Sequence, residues 1–167
     1  MENYICINGK KAELTEEQMK ALGIELPKKN PFNRVVNNTT NDFYHYYFIT
    51  SYGYVTEAID HGFQNGNGND DLRFRTANYC TDETLIKQRA LHETLNRLLW
   101  RYSMEHDGDK IHLNHCWGLS YSKGVFEAYE LWGHVFGECV FYSKEIAANA
   151  IKEIIEPFMK AHPEFKW

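Results

Sequence analysis

Cysteine pairs, long apolar runs and surplus basic charge are all missing from this chain, and each absence closes off a class of protein. The four cysteines (Cys6, Cys80, Cys116 and Cys139) stand singly, with no C-x-x-C spacing, and 167 residues suffice to bury a core without disulfide staples. No apolar run approaches the ~18 residues that span a bilayer, and "MENYICINGK" lacks the apolar centre of a signal peptide. The expectation is a cytoplasmic protein with reduced thiols and no membrane contact. The formal net charge of -5 argues against non-specific binding of duplex DNA, which needs a basic surface. No catalytic motif stands out, so neither enzymatic activity nor a cofactor or metal is expected.

Aromatic residues are what the chain has in plenty, and they shape its strands. Residues 1–30 read as a small ββα arm. "YICI" and "KKAEL" are short strands around the turn-forming Asn8–Gly9, and Thr15 with Gln18 spells a capping box ahead of "EEQMKALG". Pro27 and Pro31 bracket a linker, so the core domain is expected over 31–167. There "FYHYYFIT" and "YVTEAID" read as a hairpin about "SYGY", "HGFQNGNGNDD" as a loop without regular structure, and "LRFRTANYC" as a third strand with Arg73 and Arg75 on one face. Thr81 then caps a helix over roughly residues 82–105, whose buried stripe of Leu91, Leu95, Leu98 and Tyr102 is widened by Leu85, Leu99 and Trp100.

The pattern then repeats. "KIHLNHCWGLSY", "VFEAYELWG" and "HVFGECVFY" are strands, Ser143 is a cap, and Ala147, Ala150, Ile151, Ile154, Ile155 and Phe158 make one apolar helix face. Pro157 should end or kink that helix, leaving "HPEFKW" as a tail. The sum is an α+β fold: an antiparallel sheet with helices packed on one face, in the order βββα-βββα. Setting Thr81 against Ser143 pairs Glu83 with Glu145 but brings little else into line, so the halves share a scaffold rather than a functional motif.

Three stretches invite a chemical reading. His112, His115 and Cys116 are close in "HLNHC", but residues three apart on a strand face opposite ways and cannot easily share a metal. Cys80 precedes a helix N-terminus, which would lower its pKa, and His92 lies on the same strand–helix unit. No oxyanion hole or orienting third group accompanies them, and a buried inert thiol is the simpler reading. "DHGFQNGNGNDD" follows neither calcium-loop nor phosphate-loop spacing.

The tyrosines and tryptophans exceed what one modest core needs. Tyrosine, tryptophan and arginine dominate interface hot spots. They also stack on unpaired bases where a basic groove is near, which Arg73 and Arg75 would supply. The candidate partner-binding residues are therefore Tyr44, Tyr46, Tyr52, Tyr54, Arg73, Arg75, Trp117 and Trp132. The acidic balance favours a protein partner over single-stranded nucleic acid.

Several stretches together carry a resemblance. "NPFNRV", "FYHYYFITSYGYV", "DDLRFRTANYCTDE" before a long helix, and "VFYSKEIAANAIKEI" resemble the pattern of a family of small proteins from phages and prophages of Firmicutes, over nearly the whole chain. The chain departs from that pattern at Thr76–Ala77, where a glycine is common, and at Cys80, where an aromatic is usual. Such proteins commonly bind host machinery. The resemblance implies a non-enzymatic inhibitor of a host defence protein in the bacterial cytoplasm, with a Cas9-type nuclease as the partner expected. The alternative is a single-stranded nucleic-acid-binding accessory of phage replication or recombination.

Overall fold

The computed structural model describes residues 4–7, 10–23, 30–34, 44–60, 68–107, 115–133 and 139–167. It is an α+β protein; among the described residues there are three two-stranded antiparallel sheets and a set of helices. In the N-terminal arm β1 (Tyr4–Ile7) pairs with β2 (Lys10–Glu13), and α1 (Glu16–Ala21) follows. The capping box forms: Thr15 Oγ1 accepts the Gln18 N–H at 3.2 Å and Gln18 Oε1 accepts the Thr15 N–H at 2.9 Å. The Asn8–Gly9 turn and Pro27 lie outside the described residues.

The first hairpin of the core joins β3 (Tyr44–Ile49) to β4 (Val55–Asp60), with Tyr47 opposite Glu57. Strand alternation gives β3 two different faces. Tyr47 and Ile49, with Val55 of β4, pack on Cys80 and on Ile86 and Ala90 of the long helix α3 (Glu83–Asp107). Tyr46 and Phe48 point the other way, to α2 (Gly68–Arg75), where Asp70 accepts from the Tyr46 hydroxyl and the Arg73 guanidinium covers the Phe48 ring.

That helix α2 corrects two expectations. Residues 68–71, read as loop, and 72–75, read as third strand, form one helix. Asp70 and Asp71 sit in its first turn, where carboxylates suit the helix dipole. It closes as a Schellman motif, the Asn78 N–H donating to Arg73 O at 2.8 Å and the Ala77 N–H to Phe74 O at 3.0 Å. Ala77 takes the left-handed position at φ 55° that glycine normally fills, so no glycine marks the helix end. Only a remnant of the third strand exists. The Asn78 side chain brackets the backbone of Ile49, accepting its N–H at 2.8 Å and donating to its carbonyl at 2.7 Å. Two residues on, Cys80 exchanges two backbone hydrogen bonds with Tyr47.

The second half is built the same way. β5 (Cys116–Ser122) and β6 (Val125–Leu131) join through Lys123–Gly124, whose φ values of 52° and 84° fit a type I′ turn. Gly118 leaves room for its cross-strand neighbours; a Cβ there would meet the Tyr129 ring at 2.9 Å and Leu131 at 2.7 Å. Of the third strand expected from "HVFGECVFY", the described residues show one bridge: Phe141 pairs with Trp117 by two 2.8 Å backbone bonds. Residues 134–138 of that stretch lie outside the described residues.

Taking Cys80 and Phe141 as equivalent positions sets Asp82 against Ser143, one residue off the register expected from sequence. Both are helix caps. Asp82 Oδ1 accepts the Leu85 N–H at 3.0 Å, and Ser143 Oγ accepts the Ile146 N–H at 3.2 Å. Thr81 is not the cap; its N–H and hydroxyl both reach Pro31 O, at 2.9 and 3.2 Å.

After Ser143, α4 (Lys144–Ala150) passes through a π-helical turn at Ile151–Ile155 into α5 (Glu156–Ala161). Pro157 lacks an N–H and its ring crowds the carbonyl four residues back. The wide turn just before it accommodates both, so the helix continues instead of ending. The main core lies between the second half of α3 and these helices: Leu95, Leu99 and Tyr102 pack with Phe141, Ala147, Ala150, Ile155 and Phe158. Leu91 and Leu98 flank it half-buried, whereas Leu85 and Trp100, expected within the stripe, are exposed. The supposed tail also joins the core through buried Phe165. The Gln88 amide holds it there, donating to Glu164 O at 2.7 Å and accepting the Lys166 N–H at 2.9 Å.

A candidate protein-binding surface

The eight residues singled out in the sequence do not gather at one place. Tyr46 is fully buried in β3, stacked on Tyr79 at 4.3 Å. Its hydroxyl donates to Asp70 Oδ1 at 2.6 Å and accepts from Arg73 at 2.7 Å. Burial and the Asp70 carboxylate push its pKa up to about 12. Tyr44 is half-buried at the start of the same strand.

Arg73 and Arg75, expected on one face of a strand, lie on α2 instead. There, spacing of three and four residues sets them beside carboxylates: Arg73 is 3.7 Å from Asp70, and Arg75 is 2.7 Å from Asp71. Arg73 also lies flat on Phe48, 3.5 Å from the ring centre. Beside them Arg34, from the "NPFNRV" stretch, clasps Asp60 with two hydrogen bonds of 2.6 Å and reaches Asp71 at 3.5 Å. This charged cluster ties loop, hairpin and α2 together, and the Asp60 hydrogen bond holds the Arg34 guanidinium pKa above its usual value.

Trp117 is half-buried at the edge of the main core with Lys144 over its ring. Trp132 is exposed and stacks on His115 at 5.3 Å, while His115 lies 2.6 Å from Glu130. The second histidine of "HLNHC", His112, falls outside the described residues, and among the described residues no His, Cys, Asp or Glu cluster could hold a metal ion. Nor is the Cys80 thiol activated: burial raises its pKa, overriding the smaller lowering by the Asp82 backbone. His92 packs on Phe165, with ring centres 4.7 Å apart.

Like Trp132, Tyr52 and Tyr54 are offered to solvent, 86% and 73% exposed at the tip of the β3–β4 hairpin. Gly53 between them takes φ 86° to make the turn, and a Cβ there would lie 3.2 Å from the Arg97 guanidinium and 3.6 Å from Thr94 Oγ1. The tip therefore rests on α3. One turn further along that helix stands Trp100, 64% exposed, followed by Met104. From the sequence, Trp100 is expected to widen the buried stripe together with Leu85 and Leu99. The distinguishing signal was its helical neighbourhood: Arg97, Trp100, Arg101 and Met104 fall at i, i+3, i+4 and i+7, on the side away from Leu95, Leu99 and Tyr102.

Among the described residues no helix is long and apolar enough to cross a membrane. Compared with protein-family models, with curated proteins and with solved structures, the chain has no match in any of the three.

Proposed function

We propose that this chain is a non-enzymatic inhibitor that works by binding a protein, and that its target is a host defence protein, a nuclease of the Cas9 type. The observation that carries the binding half is the group of solvent-facing aromatic side chains, Tyr52, Tyr54 and Trp100, set beside arginines where the β3–β4 tip meets α3. These residue types supply most of the energy where proteins meet. The target class rests on the resemblance of the "NPFNRV", tyrosine-strand and strand–helix stretches to small phage proteins. An overall charge of -5 suits a molecule that competes for the basic nucleic-acid channel of such a nuclease.

The test is target cleavage by a purified Cas9-type nuclease and its guide, preincubated with rising amounts of the chain. Cleavage should fall in proportion to the inhibitor added and stop near an equal molar ratio, and the two should co-elute on a sizing column. Undiminished cleavage in excess inhibitor, with no co-elution, overturns the choice of target. The carboxylates of Asp70 and Asp71 beside Arg73 and Arg75 favour this reading over single-stranded nucleic-acid binding.

A further inference from the structure

We infer that the surface shared by the β3–β4 tip and the outer face of α3 docks an acidic segment of a partner protein, one in which an apolar side chain is flanked by carboxylates. The inference rests on the protein-binding reading above and adds the surface used and the chemistry of what it takes. Six residues make the surface: Tyr52, Tyr54, Arg97, Trp100, Arg101 and Met104. Gly53 approaches Thr94 and Arg97 closely enough that a Cβ would touch them, which sets the tip beside the helix, and helical spacing carries the same face on through Trp100 to Met104. The aromatic groups and the thioether there are exposed, while the opposite side of the helix is packed into the main core.

Charge decides the occupant. Arg34, Arg73, Arg75 and Arg89 each have a carboxylate within 3.7 Å. Arg97 has only the Thr94 hydroxyl, at 3.3 Å, among the described residues. Arg101 lies 3.9 Å from Glu105, a long and exposed pair that holds it weakly. Beside the rings, then, two guanidinium groups lack firm partners in a chain that is acidic overall. A carboxylate can meet a guanidinium through two parallel hydrogen bonds, and an aromatic or aliphatic side chain beside it can lie on Trp100. A second copy of this chain, docked face to face about a two-fold axis, would set these arginines against their own counterparts. A nucleic-acid strand could stack on the rings, but two arginines offer it few phosphate contacts.

The experiment is a selection from a yeast-displayed random peptide library with the intact chain as bait. Arg97→Glu and Trp100→Ala serve as comparison baits, both at exposed positions, with unchanged thermal unfolding as the check on folding. The expected result is enrichment of peptides with Asp or Glu beside an aromatic or aliphatic residue. Binding of those peptides should weaken about tenfold or more in each variant. Enrichment without an acidic bias, or binding that both variants retain, overturns the proposal. Binding of oligothymidylate that Trp100→Ala abolishes would assign the surface to single-stranded nucleic acid instead. Self-association abolished by the same change would assign it to a second copy. The two readings also fail separately. Nuclease inhibition retained by both variants leaves the inhibitor standing and removes this surface from it. Acidic peptides selected by a chain that inhibits no nuclease leave the surface standing and remove the target.

Discussion

Tyr46 occupies a point where three kinds of interaction meet: its ring stacks on Tyr79, its hydroxyl donates to Asp70, and the same oxygen accepts from Arg73. Replacing it with phenylalanine keeps the stacking and removes the oxygen between acid and base. Tyr46→Phe should cost about 1–3 kcal/mol, the usual penalty for stranding buried polar partners. It should also change the alkaline limb of stability. The phenol ionises near 10 when unfolded and at about 12 when folded. The folded state therefore holds its proton more tightly; this contribution is complete below pH ~10 and drains away as the pH climbs toward 12, to a limit of roughly 3 kcal/mol. Burial raises the Cys80, Cys116 and Cys139 thiols in the same direction, so some alkaline loss remains in any Tyr46 variant. Urea unfolding from about pH 8 to about pH 12 should show a shallower decline for Tyr46→Phe than for the parent chain. Equal slopes would mean that the hydroxyl is not the group being titrated.

At the level of elements, the described residues show in each half of the core a hairpin, a backbone bridge, a cap and a helix, with α2 added in the first. The caps make this testable, because sequence and structure choose different residues for the first one. Asp82→Ala removes a side chain that accepts the Leu85 N–H and should cost about 1 kcal/mol, as should Ser143→Ala. Thr81→Ala leaves the helix start intact and loses an exposed bond to Pro31 O, for a cost of no more than about 0.5 kcal/mol. Equal losses at Asp82 and Thr81 in denaturant titrations would contradict the assignment. Hairpins, helices and the α+β class were legible because they depend on local alternation and helical spacing. The strand expected over 72–80 was misread because its pairing is not local. Asn78 reaches Ile49 with its side chain, Cys80 contributes one bridge, and α2 ends on Ala77 with no glycine to mark it. The candidate surface was half legible for the same kind of reason. Tyr52 and Tyr54 belong to an obvious turn, but which side of a long helix Trp100 occupies depends on what the opposite side packs against.

Across the whole molecule, α3 links two unequal cores. Its first half carries Ile86 and Ala90 against Ile49 and Cys80. Its second half carries Leu95, Leu99 and Tyr102 into a cluster closed by Phe141, α4, α5 and Phe165. Polar bonds lock the second junction as well: the Ser103 hydroxyl lies 2.8 Å from Val140 O, and Asp107 accepts the Tyr142 N–H at 3.0 Å. Among the described residues the smaller core holds fewer buried apolar side chains, and the Arg34–Asp60 clasp adds a charged anchor to the hairpin on it. Local opening should follow that inequality. In native-state hydrogen exchange, the amides of Tyr46–Ile49 should exchange through a partial opening of lower free energy, while those of Leu95–Tyr102 exchange only on global unfolding. Identical exchange free energies in the two groups would show that α3 transmits every opening from one core to the other. The expected order also bears on binding. The hairpin tip that carries Tyr52 and Tyr54 hangs from the weaker core, whereas Trp100 sits on the stronger one. A partner that bridges the two should therefore slow exchange in β3 more than in the second half of α3.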